Sequence, residues 1–378
     1  MKNLNKNRVC ISRQTYYDKD DIKTIVLDHI EKLGGIDRLL SKGKKVVIKP
    51  NLVMRKSPDY AATTHPTLVQ AVCEIFVSAG ADVVIAESSG GLYNPAVMGA
   101  NYKGCKIAEA AQNSGAKLHT DYGETTVFRS ENKICKSFSI INPIANADLI
   151  VNLCKLKTHT IATLSGAVKN MFGVIPGIQK VELHSRYPEI EDFCDMLVDL
   201  NQTVTCGLCI MDAIECMEGN GPTAGTKIHL GAILSSLSPY ALDIAAAAVA
   251  DIPFEKIPTL YAANDIIAPS IDNVEIIGEN INSIKKAFKL PDTVETKFQT
   301  VSTIFGGRLK RYLEPKPKIE KNKCKLCGEC IRNCPIKLIS IKSGKVRINH
   351  NGCIHCFCCH ELCKEHAISI KKPFIAKI

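Results

Sequence analysis

The carboxyl-terminal part of the chain carries two closely spaced runs of cysteines. The first run is CKLCGECIRNCP (324–335) and the second is CIHCFCCHELCK (353–364). Each run contains the spacing C-x2-C-x2-C-x3-C, and the two copies lie 29 residues apart. Cubane [4Fe-4S] clusters are held by four cysteine thiolates at this spacing. The sequence therefore predicts two [4Fe-4S] clusters in a small α+β module over residues 323–378.

The order of the cysteines also predicts which of them share a cluster. In bacterial ferredoxins the first three cysteines of a run hold one cluster, and the fourth reaches the other cluster. The predicted ligand sets are Cys324, Cys327, Cys330 and Cys363 for one cluster, and Cys353, Cys356, Cys359 and Cys334 for the other. Cys358 falls outside the repeat and is predicted to bind no iron. Zinc is the alternative, but zinc sites usually pair two C-x2-C units across a longer gap.

The second run departs from the first at one position. Pro335 follows the last cysteine of the first run, whereas Lys364 follows the last cysteine of the second. Proline has no backbone N–H to donate. The lysine is therefore expected to alter the hydrogen bonding around one cluster without removing a ligand.

Positive charge is concentrated in the same region. Residues 316–378 contain 14 Lys and Arg against 4 Glu, which equals the net charge of +10 of the whole chain. Clusters held by four thiolates are themselves negative and offset part of this surplus. Aromatic residues are not interleaved with the basic ones, so nucleic-acid binding is disfavoured. An acidic electron donor, such as a small ferredoxin or a flavodoxin, is the partner that this charge predicts.

The bulk composition is that of a globular protein of 378 residues, with 46% hydrophobic residues. The amino terminus is basic but is followed by no apolar segment of the kind found in signal peptides. The longest apolar stretch (241–252) is too short to cross a membrane. We therefore expect a cytoplasmic protein without membrane spans, whose 18 cysteines serve metal binding rather than disulfides.

Residues 1–310 have the pattern of an α/β domain. An apolar strand (44–51), an amphipathic helix (64–80) and a second apolar strand (81–91) follow one another. Such a crossover unit predicts a mainly parallel sheet covered by helices. The pattern continues with predicted helices at 105–115, 188–204 and 238–252, and with predicted strands at 117–122, 147–159 and from 205. Residues 311–322, rich in proline and charge, are predicted to be a linker.

Three segments at predicted strand ends are candidates for a substrate site, because open parallel sheets bind ligands there. The basic segment 152–184 offers ammonium groups and histidines that suit an anionic substrate. Its candidate residues are His159, Lys169, Asn170, Lys180 and His184. The Gly-rich loop 217–225 adds Glu218 and Asn220 as an opposite wall.

Two other features are interpreted as structural. ESSGG (87–91) is a Ser/Gly turn of the kind that can bind phosphate, but a lone turn of this kind is usually only a turn. Cys206 and Cys209 form a C-x2-C within an apolar strand and are expected to be core cysteines on opposite faces.

Several motifs together resemble one family, known as domain of unknown function 362. These motifs are KPNLV (49–53), GADVVIAESSGG (80–91), KLKTH (155–159), GAVKNMFGVIPG (166–177), MEGNGP (217–222) and the second cysteine run. The resemblance implies an iron–sulfur protein with an unassigned redox role and supplies no substrate.

The combined hypothesis is an oxidoreductase. Two clusters would pass electrons from an external donor to a small anionic substrate held by the candidate residues of the large domain. Whether that domain binds a flavin or a further metal is left open by the sequence. Two alternatives are a non-catalytic electron-transfer or maturation partner and a redox-sensing nucleic-acid binder.

Overall fold

The computed structural model describes residues 7–294 and 315–371. Its strands are β1 (Arg8–Arg13), β2 (Lys45–Pro50), β3 (Asp82–Ile85), β4 (Lys117–Leu118), β5 (Glu124–Phe128), β6 (Ser137–Ile141), β7 (Leu149–His159), β8 (Thr163–Leu164), β9 (Leu208–Glu218), β10 (Thr226–Ser236), β11 (Glu275–Gly278), β12 (Lys316–Ile319), β13 (Ile339–Lys342), β14 (Lys345–Ile348) and β15 (Ile368–Lys371).

The α-helices are α1 (Lys19–Lys32), α2 (Ile36–Leu39), α3 (Pro66–Ser78), α4 (Pro95–Gly104), α5 (Ile107–Ser114), α6 (Asn142–Ala145), α7 (Ala167–Asn170), α8 (Gln179–Arg186), α9 (Ile190–Thr203), α10 (Pro239–Val249), α11 (Pro258–Ala262), α12 (Ile281–Ile284), α13 (Glu329–Arg332) and α14 (Cys358–Glu361). Short 3-10 helices occupy Leu40–Lys42, Pro58–Tyr60, Met171–Val174, Phe254–Lys256 and Ile271–Asn273.

A mixed, mainly parallel sheet forms the centre of the large domain. Its strand order is β11-β1-β10-β9-β7-β2-β3-β4, with β8 pairing at the end of β7. On this path β10 alone runs against its neighbours, and the pairs from β9 to β4 are all parallel. The α/β fold with helices over a mainly parallel sheet, expected from the alternating pattern, is therefore confirmed.

Helices cover both faces of this sheet. One core cluster joins β2, β3 and β7 to α1, α3 and α5, and the other joins the opposite faces of β7 and β9 to α9 and α10. All eleven residues of β7 are buried as a result. Helix α3 illustrates how local sequence sets an element: Pro66 occupies its first turn, and His65 accepts a hydrogen bond from the Thr67 amide.

The carboxyl ends of β2, β3 and β7 lie next to one another because these strands are parallel neighbours. Polar residues follow at each end: Lys49 on β2, Glu87 after β3, and His159 on β7. Each of these three side chains is buried. This edge of the sheet is where an open parallel sheet binds its ligand.

The cysteine module is built from two short antiparallel strand pairs and two one-turn helices. Strand β12 pairs with β15, and β13 pairs with β14. Residues 316–319 of the predicted linker (311–322) therefore belong to the module, because their backbone completes a ladder with its last strand. Residues 311–314 and 295–310 lie outside the described residues.

Candidate functional site

A cavity lies between the carboxyl ends of the parallel strands and the cysteine module. We call it the central cavity. Its volume, measured as the space open to the centre of a water-sized sphere, is about 80 Å³. It is lined by Asn51, Leu52, Val53, Glu87, Ser88, Ser89, Gly90, Gly91, His159, Ser165, Lys169, Asn170, Phe172, Gly173, Gly177, Lys180, Val181, His184, Pro222, Cys358, Glu361 and Leu362.

All five candidates from the basic segment line this cavity: His159, Lys169, Asn170, Lys180 and His184. They converge because β7 ends at His159 and the chain then returns through α7 and α8. Asp243 fixes the start of α7, since its buried carboxylate accepts hydrogen bonds from the amides of Ala167 and Val168.

Glu218 and Asn220 do not form the opposite wall, which corrects that expectation. The Glu218 carboxylate accepts a hydrogen bond from the Lys289 amide at 2.8 Å. The Asn220 amide donates to Asp292 at 2.8 Å and accepts from the Asp292 backbone at 2.9 Å. Both side chains are used to hold the segment around residue 290, and only Pro222 of this loop reaches the cavity.

His159 presents a hydrogen-bond donor to the cavity. Its Nδ1 accepts from the backbone amides of Ile161 and Ala162 at 3.0 and 3.4 Å, so the neutral ring carries its proton on Nε2. That Nε2 atom is buried and has no hydrogen-bond partner among the described residues. Burial lowers the pKa of His159 well below its usual value, which keeps the ring neutral.

Lys169 places its ammonium group beside two aromatic rings at the cavity. Its side chain is 9% exposed, and its Nζ lies over the rings of Phe172 and Phe193, 5.2 and 5.7 Å from their centroids. Within residues 7–294 and 315–371 this ammonium group makes no hydrogen bond or ion pair. Burial lowers its pKa, and the negative charge of Glu361 opposes that shift.

His184 and Asn170 are positioned by packing and by a network of amides. The His184 ring stacks on Phe193 at 4.3 Å between centroids, and burial lowers its pKa to about 3. The Asn170 side chain donates to Asn152 at 2.7 Å and accepts from Asn51 at 2.9 Å. These contacts hold both side chains in place along the floor of the cavity.

Two other lysines are occupied by protein oxygens. Lys180 Nζ donates to the carbonyls of Ser88 and Ile175, each at 2.6 Å. Lys157, beside the cavity, donates to Asn51 at 2.8 Å and to the Ala62 carbonyl at 2.7 Å. Burial lowers the pKa of each to about 7. Their main role is to tie loops together.

A buried ion pair between Lys49 and Glu87 borders the cavity and was not among the predicted site residues. Burial raises the pKa of Glu87 to about 7, although Lys49 and Lys180 act in the opposite direction. Gly173 packs against this pair, and a Cβ atom there would collide with the Glu87 carboxylate. The signal in the sequence was a charged residue at the end of each of two apolar strands.

Helix α14 of the cysteine module forms the remaining wall. Its residues Cys358 and Glu361, with Leu362 after it, line the cavity. Thr223 donates to the Glu361 carbonyl at 2.8 Å, which fastens the helix to the large domain. The Glu361 carboxylate lies 3.7 Å from His159 Nε2. Separate inspection of the two halves of the sequence could not reveal this contact.

The ESSGG turn also contributes to the cavity, through Ser88, Ser89, Gly90 and Gly91. Gly90 packs against Leu362, and a side chain at this position would collide with it. The turn therefore has a structural role, because it packs against the cysteine module, and it also lines the cavity.

The predicted iron–sulfur ligands lie in two groups. A smaller cavity is lined by Cys324, Cys327, Cys330 and Cys363, the four residues of the first predicted set. In the second set, burial raises the pKa of Cys359, and the charges of Cys356, Cys353 and Cys334, together with Cys330 of the first set, act in the same direction. The structure thus brings the fourth cysteine of each run to the other run, which fits two cubanes.

Backbone amides surround the sulfurs in the same manner in both halves. The Leu338 amide donates to Cys334 Sγ at 3.3 Å, and the Ala367 amide donates to Cys363 Sγ at 3.2 Å. The described residues contain no group of three or more His, Cys, Asp or Glu that could hold a metal ion. A cubane differs from a single ion, because each of its four irons takes one thiolate.

The remaining C-x2-C differs from the expected arrangement. Cys206 precedes β9, and its Sγ lies 3.2 Å from Cys209 Sγ. The two side chains therefore meet rather than point to opposite faces, because Cys206 is outside the regular strand. Cys209 is fully buried, as expected of a core cysteine.

The fold and the cysteine module define an iron–sulfur protein with an α/β domain. The family model described as domain of unknown function DUF362 matches residues 46–248, more than half of the chain. A 4Fe-4S dicluster domain model matches residues 316–364. The chain therefore belongs to the DUF362 family and carries a ferredoxin-type 4Fe-4S domain.

Similar proteins cover the two parts to different extents. A thylakoid-associated protein of Synechocystis is 26% identical over 262 residues, which are 67% of this chain and 78% of the relative. A ferredoxin of Methanothermococcus thermolithotrophicus is 33% identical over 57 residues, 14% of this chain and 95% of the ferredoxin.

Among solved structures, the lactate racemase apoprotein of Thermoanaerobacterium thermosaccharolyticum is similar with a TM-score of 0.35 and 16% identity. The match covers 60% of this chain and 54% of that one, so this chain spans about half the length of the racemase. Among the residues that the structure describes, no helix has the length and apolar composition needed to cross a membrane.

Proposed function

We propose that this protein is an iron–sulfur oxidoreductase that passes electrons through two [4Fe-4S] clusters to a small anionic substrate in the central cavity. The observation that carries the proposal is the shared wall of that cavity. Helix α14 lies between the predicted ligands Cys356 and Cys363, and two of its residues face Lys169 and His159. A substrate in the cavity would contact the cluster-binding module directly.

The clusters, when bound, supply electrons one at a time, so two clusters match a two-electron reduction. The protein side chains bind the substrate and supply protons. Lys169 neutralises negative charge in a buried site, where a charge pair is stronger than in water. His159 donates a hydrogen bond through Nε2, and Glu87, with its pKa near neutral, holds and releases a proton at the cavity wall.

The external donor is proposed to be a small acidic electron carrier. The module has a large surplus of Lys and Arg over Glu, and Cys327 is its exposed cysteine ligand. Charge complementarity of this kind accelerates the encounter of two proteins. The enclosed site with its buried lysines favours catalysis on a small molecule over the alternatives of a docking partner or a nucleic-acid sensor.

The first test is the metal content of the protein purified without oxygen. Two cubanes predict about eight irons and eight sulfides per chain, four of each per cluster. Stoichiometric zinc without sulfide would contradict the proposal.

The second test follows the oxidation of reduced clusters by a substrate. The anaerobic holoprotein is reduced with dithionite, freed of excess reductant, and mixed with fractions of small cellular acids while its visible absorbance is recorded. We expect one fraction to reoxidise the clusters rapidly. Lys169→Gln should slow this step by about 10- to 100-fold, the usual effect of losing a hydrogen bond to a charged group.

The matched control is Lys256→Gln, which removes an exposed lysine that does not line the cavity. Its reoxidation rate should equal that of the unaltered protein. Equal rates for Lys169→Gln and the unaltered protein would show that the cavity is not the acceptor site, and the non-catalytic alternative would then be favoured.

A further inference from the structure

The central cavity has fewer free hydrogen-bonding groups than its charged residues suggest. Lys180 and Lys157 are saturated by protein oxygens, and Lys49 is paired with Glu87. Within residues 7–294 and 315–371, Lys169 Nζ and His159 Nε2 donate to no protein atom, and the Glu361 carboxylate lies 3.7 Å from His159 Nε2.

From this arrangement we propose that the cavity binds a small carboxylic acid that carries a hydroxyl or ammonium group next to its carboxylate. This inference rests on the proposed function, because it names the class of the substrate. The carboxylate of the ligand lies between Lys169 and His159 and accepts a hydrogen bond from each. The adjacent hydroxyl or ammonium group donates to Glu361.

His159 carries the strongest part of this argument. A buried donor without a partner costs free energy unless a ligand or water satisfies it. The His159 side chain is 1% exposed, and its Nδ1 is fixed by two backbone amides, so the ring cannot turn to exchange its nitrogens without losing them. The proton on Nε2 is therefore held toward the cavity for an incoming acceptor.

Glu361 sets the second part of the ligand class. A second anionic group on the ligand would approach the Glu361 carboxylate and be repelled, whereas a hydroxyl or ammonium group would be attracted. Phosphate and dicarboxylates are disfavoured for this reason.

The size of the cavity limits the ligand further. One water needs about 10–15 Å³ of space measured in this way, and the cavity offers about 80 Å³. It therefore holds roughly six water molecules, or a ligand with a similar number of non-hydrogen atoms. A short hydroxy acid or amino acid fits this volume.

The test measures binding without turnover, by calorimetric titration of the oxidised holoprotein under anaerobic conditions. The probes are acetate, glycolate, glycine and inorganic phosphate. Glycolate and glycine should bind about tenfold or more tightly than acetate, which lacks the second group, because the added hydrogen bond is to a charged residue. Phosphate should bind most weakly.

Two variants assign the contacts. Glu361→Gln should remove most of the preference over acetate, chiefly for glycine, whose ammonium group loses its counter-charge. Lys169→Met should weaken all three carboxylates. The controls are Glu255→Gln and Lys256→Gln, two exposed residues that line neither the central cavity nor the smaller one. Both controls should bind as the unaltered protein does.

The proposal is overturned if acetate binds as tightly as glycolate and glycine, if phosphate binds best, if no carboxylate binds, or if Glu361→Gln leaves the preference intact. Its failure can be told apart from failure of the proposed function. Rapid reoxidation by an acid without a hydroxyl or ammonium group overturns this inference alone. The predicted binding pattern without reoxidation by any fraction overturns the proposed function alone.

Discussion

The two halves of the cysteine module have nearly the same backbone but face different surroundings. Residues 29 positions apart adopt the same unusual conformation: φ is 57° at Leu326 and 50° at His355, and 53° at Lys337 and 48° at His366. A one-turn helix follows the second cysteine in each half. The repeated backbone is what the repeated ligand spacing requires.

The side chains on the two short helices differ at equivalent positions. Arg332 in the first half is 60% exposed and donates to the Cys327 carbonyl at 3.0 Å. Its counterpart in the second half is Glu361, whose side chain is 17% exposed and faces His159. Likewise Glu329 corresponds to Cys358, the thiol outside the ligand repeat, which is buried at the cavity.

This difference indicates that the two halves share one repeated backbone but have different roles in the module. The backbone and the predicted ligand cysteines are repeated in both halves, whereas the residues between the predicted ligands differ with what each half contacts. The first half presents charge to solvent, where an electron donor would approach. The second half presents a thiol and a carboxylate to the central cavity.

Loss of a predicted ligand cysteine should have the largest effect, because it removes one cluster from the module. Cys330→Ala and Cys359→Ala should each lower the iron content from about eight to about four per chain, because each removes a ligand from a different cubane. Cys363→Ala should remove the same electron paramagnetic resonance signal as Cys330→Ala, although it lies in the other run. Far-ultraviolet circular dichroism checks that the large domain persists.

Cys358→Ala is the matched control, since it removes a neighbouring cysteine outside the repeat. It should keep about eight irons. Loss of iron from this variant together with full iron in Cys359→Ala would show that the ligand assignment is wrong and that the two halves are not equivalent in spacing.

Exchange of the charges at Glu361 and Arg332, which occupy equivalent positions in the two halves, should have the next largest effect. Glu361→Arg places a cation against Lys169 and His159 and removes the acceptor of the cavity. We expect substrate-dependent reoxidation to slow by about 100-fold, since a like charge is added where a charged hydrogen bond was lost. Stopped-flow absorbance of the reduced holoprotein measures this rate.

The reverse exchange, Arg332→Glu, tests the first half. Reoxidation by substrate should not change, because Arg332 is remote from the cavity wall. Electron uptake from an acidic carrier protein should slow several-fold at low ionic strength, because an attractive charge is replaced by a repulsive one. At high salt the variant and the unaltered protein should take up electrons at similar rates, because salt screens these charges. If both exchanges changed the reoxidation rate equally, the proposal that the two halves have different roles would be wrong.

The sequence predicted the parts of this comparison that depend on local pattern. Cysteine spacing predicted a 4Fe-4S domain, and apolar runs located β2, α3, β7 and α9 to within a few residues. The basic segment around Lys169 was recognised because its polar residues are clustered along the chain, and short loops bring such residues together.

Contacts between distant segments were not predictable in the same way. Glu361 reaches His159 across 202 positions of sequence, and no local spacing encodes that approach. Glu218 and Asn220 were misassigned because a Gly-rich loop after a strand indicates a tight turn but not the partner of its side chains. Their partners, Lys289 and Asp292, lie in a segment whose sequence has no pattern that predicts where it packs.

Lys364→Pro should have the smallest effect, and it tests whether the one departure between the runs matters. The variant gives the second half the proline that the first half has at Pro335. Equivalent amides already donate to Cys334 and Cys363 in both halves, so we expect the variant to keep both clusters. The change removes an ion pair to Glu329 at 3.7 Å from a lysine side chain that is 51% exposed. Exposed pairs contribute about 0.2–1 kcal/mol, so thermal unfolding should shift only slightly and iron content should stay at about eight per chain. A loss of iron would mean that the second half needs the backbone N–H of Lys364, which proline lacks. The two halves would then hold their clusters differently, although their backbone conformations are alike.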